Sequence, residues 1–328
     1  MTFPSILGSM LVALLLGCAT AREPARAPIN QTNYHGWPDA IRLCNGTVEL
    51  IVVPSIGGRI IRYGYVGGEN FLWENEKLAG AAPSTQPYKN FGGDKAWPWP
   101  QDDWKRLIGG FWPPPVAFDQ TSFDCEEIDA LAMRLTSRVA SEFGFKIVRE
   151  VRLAPHGTRV TIESRLVPEP GAVTVVPAAP WHVTQMPLAD LVLARVARDA
   201  SEAPFRPLPP HAPATVERVG RDVLVLKRPD AMAAKIGMDA DLLAWVKGST
   251  FLIQRLQPVE GAPAHLPGER AQVFFQSTTG PQTYLELEFA APRGGVAPTP
   301  LRVTWDLHDL PRDLKTPDAI ATYLRALW

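Results

Sequence analysis

The sequence predicts an all-β protein: a β-supersandwich of two large antiparallel sheets with one C-terminal helix. Three observations carry that prediction. Short apolar segments with a period of two recur along the chain. Gly- and Pro-rich turns separate them. There are also 33 prolines among 328 residues. Proline fixes φ and removes a backbone donor, so this number suits loops and strand edges better than helices. With 46% hydrophobic residues there is enough apolar material for a large core, and a sandwich of this length can form one domain.

The chain opens on an apolar run, residues 5–17, ending in Leu15-Leu16-Gly17-Cys18. The run is too short to cross a bilayer as a helix and suits the core of a signal peptide. No Lys or Arg precedes it. The Leu-Leu-Gly-Cys ending resembles a bacterial lipobox, which implies a lipid-modified Cys18 at the mature N-terminus. The reading is therefore a signal peptide over 1–18 and a polar tether over 19–36. It places the protein outside the cytoplasm, anchored by lipid and facing the periplasm. Ala19 after the Cys resembles the pattern sorted to the outer membrane. Cys44 and Cys125 could pair in an oxidising compartment, but two half-buried thiols is the simpler expectation.

Strands follow. TVELIVVP (47–54) is rich in β-branched residues and closes on Pro54. RIIRYGYV (59–66) comes after the turn SIGG. ALAMRLTSRVAS (130–141) sets Leu131, Met133 and Leu135 on alternate positions. FKIVREVRLAP, TRVTIESRLVP, FLIQRLQP, QVFFQS, TYLELEF and LRVTWDLHDL continue the pattern. APHGT, PEPG and TTGP supply turns. At the C-terminus Thr316 caps a helix, Pro317 suits its first turn and Asp318 complements its dipole. Ile320, Tyr323, Leu324 and Leu327 share its apolar face. The sandwich is expected over 37–311, with this helix (312–328) packed on it.

Net charge is −1, which argues against nucleic acid or an anionic membrane surface as partner. The six histidines fall at no metal-ligand spacing, so no metal is expected. There is no P-loop, no GxGxxG after a strand and no GxSxG elbow, so no cofactor is expected either. A concave sheet lined with polar and aromatic side chains is a natural sugar site. The expected partner is a carbohydrate, and the expected state a monomer.

VVPSIGGRIIRYGYVGGENFLW (52–73) resembles the opening of galactose mutarotase-like proteins, the aldose 1-epimerase superfamily. NFGGDKAWPWPQ (90–101) resembles the Gly-Gly…Trp-Pro loop of hexose-6-phosphate mutarotase-like members. TRVTIESRLVPEPGAVTVVPAAPWHVTQM (158–186) resembles their unit of strand, turn and strand, whose second strand carries a catalytic His. YLELEFAAP followed by LRVTWDL resembles the closing strands. The pieces occur in the family's order over residues 37–311. The nearest group is a bacterial set with a mutarotase-like domain of unknown function. The resemblance implies a sugar held on a concave face. It leaves three activities open: an epimerase-like isomerase acting by acid/base ring opening, a non-catalytic binding or assembly module, and a lyase-like polysaccharide enzyme.

Ring opening needs a base at the anomeric hydroxyl and an acid at the ring oxygen. His182 is the acid candidate. It shares one strand face with Thr184, while Trp181, Val183 and Gln185 share the other; His182 enters the cleft if the hydroxyl-bearing face lines it. Glu286 and Glu288 alternate in YLELEF. Glu286 is preferred as the superfamily's general base, with Glu288 a binding residue. Arg59 follows a Gly-Gly turn and could fork onto a hydroxyl or carboxylate, or form a structural ion pair. The segment 90–104 reads as a stiff cleft-rim loop. In it Trp97 and Trp99 offer flat sugar-facing surfaces, and Asn90, Asp94, Lys95 and Gln101 offer polar partners. Lys95 stands where the relatives carry Arg. Ile108 stands where epimerases carry a second His, so the resemblance implies that the standard two-His site is absent.

Overall fold

Alternating apolar and polar residues favour extended backbone in many segments of this chain, because a strand turns successive side chains to opposite faces. The computed structural model describes residues 30–172, 175–200, 202–228, 232–295, 297–311, 313–314 and 316–327. Cys18 and the expected signal peptide lie outside them. In chain order the strands begin with β1 (Gln31–Tyr34), β2 (Trp37–Cys44), β3 (Val48–Val53), β4 (Arg59–Tyr65) and β5 (Asp94–Trp99). Next come β6 (Asp124–Asp129), β7 (Ala132–Thr136), β8 (Phe145–Leu153), β9 (Val160–Pro168) and β10 (Ala179–Met186). Then follow β11 (Leu191–Val196), β12 (Phe205–Pro207), β13 (Thr215–Val219), β14 (Val223–Lys227) and β15 (Ala234–Met238). The last five are β16 (Ala240–Lys247), β17 (Thr250–Leu256), β18 (Ala271–Phe275), β19 (Leu285–Ala290) and β20 (Leu301–Asp309).

Among the described residues these strands form two ten-stranded sheets. The first runs β1-β2-β3-β4-β5-β10-β19-β18-β15-β12, the second β13-β14-β11-β16-β17-β20-β9-β8-β7-β6. Their strand pairings are antiparallel. The main core lies between them and gathers Leu285, Leu287 and Phe289 of β19 with Met133, Val151, Ile162 and Trp305 of the second sheet in one buried cluster. Cys44 and Cys125 are free and half-buried.

Among the described residues three α-helices accompany the sheets: α1 (Asp102–Ile108), α2 (Val116–Asp119) and α3 (Pro317–Arg325). In α3 the Thr316 hydroxyl accepts a hydrogen bond from the Ala319 amide at 3.2 Å. Its Ile320, Ala321 and Leu324 pack on Val223, Leu242 and Phe251, outside the second sheet. The helix thus closes one side of the sandwich, as its apolar face predicts.

Segment 90–104 is not a rim loop. Residues 94–99 form a strand inside the first sheet, and 102–108 form a helix. The prolines are tolerated because β4 pairs with β5 only at Ile60↔Asp94. Beyond that point the missing Pro98 amide leaves no ladder bond unmade on the β4 side. Gly92 and Gly93, at φ +96° and +66°, turn the chain into this strand. A Cβ at Gly93 would lie 2.3 Å from the Ile60 carbonyl oxygen.

Candidate functional site

Register decides which side chains of the first sheet meet. Trp97 lies opposite Trp181, and Lys95 opposite Val183. Val183 lies opposite Glu288, and Gln185 opposite Glu286. Across the next two strands Glu288 faces Gln272, and Phe274 faces Lys235. With a period of two, Lys95, Trp97, Trp181, Gln185, Glu286, Glu288, Gln272 and Lys235 all project from the outer face.

That face carries polar groups that the protein itself leaves unmatched. Lys95 is fully buried and its Nζ makes no hydrogen bond. Its nearest carboxylate oxygen, Glu286 Oε1, is 3.9 Å away, and the ammonium lies 5.2 Å from the centre of the Trp97 ring. Lys235 Nζ approaches Glu288 at 3.0 Å and sits 4.8 Å above the Trp181 ring. Even so, neither Glu288 oxygen, neither Gln272 amide atom, nor the Trp181 indole nitrogen has a well-directed hydrogen bond. Buried polar groups are otherwise almost always satisfied, so such a concentration marks a place where ligand or water supplies the partners. Glu286 is oriented by the Gln185 amide at 2.9 Å and keeps a little exposure.

Burial sets the protonation of these groups. It pushes the Lys95 amine down to about 7, and Glu286 only partly opposes this. It pushes the Glu288 carboxyl up to about 7 against the pull of Lys235. Both groups can therefore gain or lose a proton near neutrality. His211, packed at 5.2 Å from the Phe274 ring, is held below the usual histidine range by burial and then by Lys235. Tyr88 and Trp112 contact one another above Trp97. The Tyr88 hydroxyl is a further buried group without a partner.

The structure divides the residues expected in the site. Lys95, Trp97, Glu286 and Glu288 come together on the outer face. His182 does not: the face that lines the site is the one with Trp181 and Gln185. His182 points between the sheets, where its Nε2 lies 2.6 Å from Asp94 Oδ2 and its ring stacks on Trp305. Asp94 is likewise internal. It pairs with Arg149 and accepts from Thr184 at 2.8 Å. Burial works against its charge, yet His182 and Arg149 hold its carboxyl below the usual range. Arg59 is spent internally on Asp119 and the Gly92 carbonyl, and Trp97 donates to the same Asp119 at 2.9 Å. Asn90 bonds Gln282 and the Gly92 amide beside the site. Trp99 reaches Glu269, and Gln101 ties α1 to the Phe111 carbonyl. Lys235, Gln272, Trp181, His211 and Tyr88 are additions to the expected set. Among the described residues no group of three or more His, Cys, Asp or Glu is placed to hold a metal ion.

A surface crevice of about 630 Å³ is lined by Arg62, Trp73, Glu74, Asn75 and Gln282. Trp73 packs at 4.7 Å on Tyr284, the residue that leads into β19. An aromatic and polar surface thus lies next to the strand that carries Glu286.

The two large antiparallel sheets have the galactose mutarotase-like fold. Solved structures agree. A protein from Escherichia coli K12, provisionally assigned as an aldose 1-epimerase, superposes with a TM-score of 0.52 at 14% identity, covering 83% of this chain and 99% of that one. A galactose mutarotase-like protein from Lactobacillus casei gives 0.50 at 11% identity, covering 82% and 100%. A TPR-domain containing protein from Parabacteroides distasonis gives 0.53 at 14% identity; there the match covers 85% of this chain but 49% of the other, about half its length. No protein-family model matches the sequence, and no curated protein does.

Proposed function

We propose that the protein binds a carbohydrate on the outer face of the first sheet and opens its ring by acid/base chemistry, as an aldose 1-epimerase-like isomerase. One observation carries this reading: beside Glu286, the buried Lys95 amine and the Gln272 side-chain amide have no hydrogen-bond partner in the protein, while Glu288 is held by Lys235 at 3.0 Å. Sugar hydroxyls both donate and accept, so they can satisfy an ammonium, a carboxylate and an amide together. The fold shared with mutarotase-like proteins supports the same reading.

Glu286 is the base that takes the anomeric hydroxyl proton. Lys95, with its amine near 7, is the acid that protonates the ring oxygen. The ring opens, the aldehyde turns about its C1–C2 bond, and reversal gives the other anomer. Lys95 here stands in for the histidine expected at position 182.

The test is NMR exchange between anomers of glucose and galactose. Removing a general acid or base lowers such rates by about 10²–10⁴-fold, so Lys95→Met and Glu286→Gln should each fall toward the uncatalysed rate. A wild-type rate equal to background with sugar still bound would leave a binding module. No sugar binding at all would overturn the reading. The lipobox further supports export and lipid attachment at Cys18, facing the periplasm. Mass spectrometry of the mature N-terminus tests this, and an unmodified Cys18 would refute it.

A further inference from the structure

Ring opening by this pair leaves the site in a particular state. Glu286 holds the proton of the former anomeric hydroxyl. Lys95 has given its proton to the ring oxygen and is a neutral amine. Beside it stands a newly formed aldehyde. Lys95 Nζ is fully enclosed, has no hydrogen-bond partner in the protein, and lies 3.9 Å from Glu286. Glu286, which keeps a little exposure, is thus the carboxylate through which a ligand approaches this nitrogen.

We propose that Lys95 is a carbonyl-trapping nucleophile that forms a reversible imine with the open-chain form of aldoses. The proposal rests on the carbohydrate reading above. It adds covalent capture, and it restricts the ligand to sugars with a free reducing end.

The step balances with the groups present. The Nζ lone pair adds to C1, and the carbonyl π pair moves onto oxygen. That oxygen takes the proton held by Glu286. One Nζ proton then passes through Glu286 to the same oxygen, which leaves as water. The products are a protonated C1=Nζ imine, water and the Glu286 carboxylate; no oxidant or reductant is consumed. Buried lysines become nucleophiles when desolvation keeps them neutral, and burial is the dominant influence on this one. The charged groups acting on it are Glu286 from β19, Arg59 from β4, Asp119 from α2 and the neighbouring Asp94. Arg59 and Asp119 neutralise each other, and Asp94 is paired with Arg149, which leaves Glu286 as the group that sets its proton exchange.

Reductive trapping tests the proposal. The full chain is incubated with glucose, and separately with glyceraldehyde, in the presence of cyanoborohydride, and labelled peptides are quantified by mass spectrometry. Sugar binding is followed in parallel by saturation-transfer NMR without reductant. The Lys95 peptide should carry one reduced adduct at pH 7, at least about tenfold above any other lysine peptide, because an ordinary lysine is almost wholly protonated there. Its labelling should rise through pH about 7 as the amine loses its proton. Lys95→Met should abolish the adduct, and circular dichroism checks its fold. Should that variant fail to fold, methyl glucoside supplies the control. It lacks a free aldehyde, so it should bind without labelling wild-type protein. Bound glucose with Lys95 labelled no more than other lysines would overturn the imine and leave the carbohydrate reading standing. Neither binding nor labelling would overturn both.

Discussion

Lys95 and Glu288 lie on one sheet face with opposite protonation preferences, and the sign of each effect on stability can be worked out. The folded Lys95 amine is lowered to about 7. Between there and the ordinary lysine range the unfolded chain holds more protons, so stability climbs as pH rises above 7. The folded Glu288 carboxyl is raised to about 7 from 4.5. Between those values the folded state holds more protons, so stability declines as pH rises toward 7. Together the two groups produce a stability minimum near neutrality. Calorimetry at pH 5, 7 and 9 should show the lowest melting temperature at 7. Glu288→Gln should flatten the acid arm and Lys95→Met the alkaline arm; a monotonic profile in the wild type would contradict the protonation scheme. Saturating sugar should shrink the dip by supplying the missing partners. The two carboxylates and Lys95 were legible in the sequence because alternation in YLELEF and the Gly-Gly-Asp-Lys stretch set them apart. Lys235, Gln272 and His211 were not. Lys235 and Gln272 lie in ordinary-looking strands that only cross-strand register brings beside Glu288 and Glu286, and His211 arrives from a loop by packing on Phe274.

Strand β5 is the element on which the site depends. It is entered through Gly92 and Gly93, whose positive φ and tight surroundings no side chain accommodates. Alanine at 93 would meet the Ile60 carbonyl oxygen, and alanine at 92 the Trp73 carbonyl oxygen at 2.2 Å. Backbone strain of this kind costs on the order of 1–3 kcal/mol before any clash is relieved. Urea unfolding of Gly93→Ala should therefore show at least that loss, together with weaker sugar binding as Lys95 and Trp97 shift. An unchanged midpoint would mean that β4 and β5 are not held in this close approach. The same element explains where sequence reasoning went astray. Two prolines and three tryptophans within 97–104 argue for a loop by local propensity. Tertiary context overrides this, because one side of β5 has little ladder to maintain. Its tryptophans meet Trp181 and Trp104 in a small core of their own. The period-two strands and the capped C-terminal helix carried no such conflict, and the sandwich was readable from them.

At the scale of the whole molecule, the two faces of the first sheet do different work. The inner face joins the sheets through Asp94, Arg149, His182, Thr184 and Gln254, while the outer face presents Lys95 and Glu286. Alternation alone told which residues share a face, but not which face turns inward. That is fixed by the second sheet, where Arg149 of β8 and Trp305 of β20 meet Asp94 and His182. The separation predicts a double dissociation. His182→Ala removes a hydrogen-bonding partner from a buried carboxylate, a loss of about 1.5–3 kcal/mol, and also the ring that stacks on Trp305. It should lower the urea midpoint while the folded fraction exchanges anomers at the wild-type rate. Lys95→Met replaces an unpartnered buried ammonium with an apolar chain of similar length, a change that is close to neutral or stabilising. It should keep or raise the midpoint and lose the exchange. Measuring both variants under conditions where each is at least nine-tenths folded, which takes about 1.3 kcal/mol of residual stability, separates the roles. If His182→Ala abolishes exchange while remaining folded, the inner face carries the chemistry and Lys95 does not.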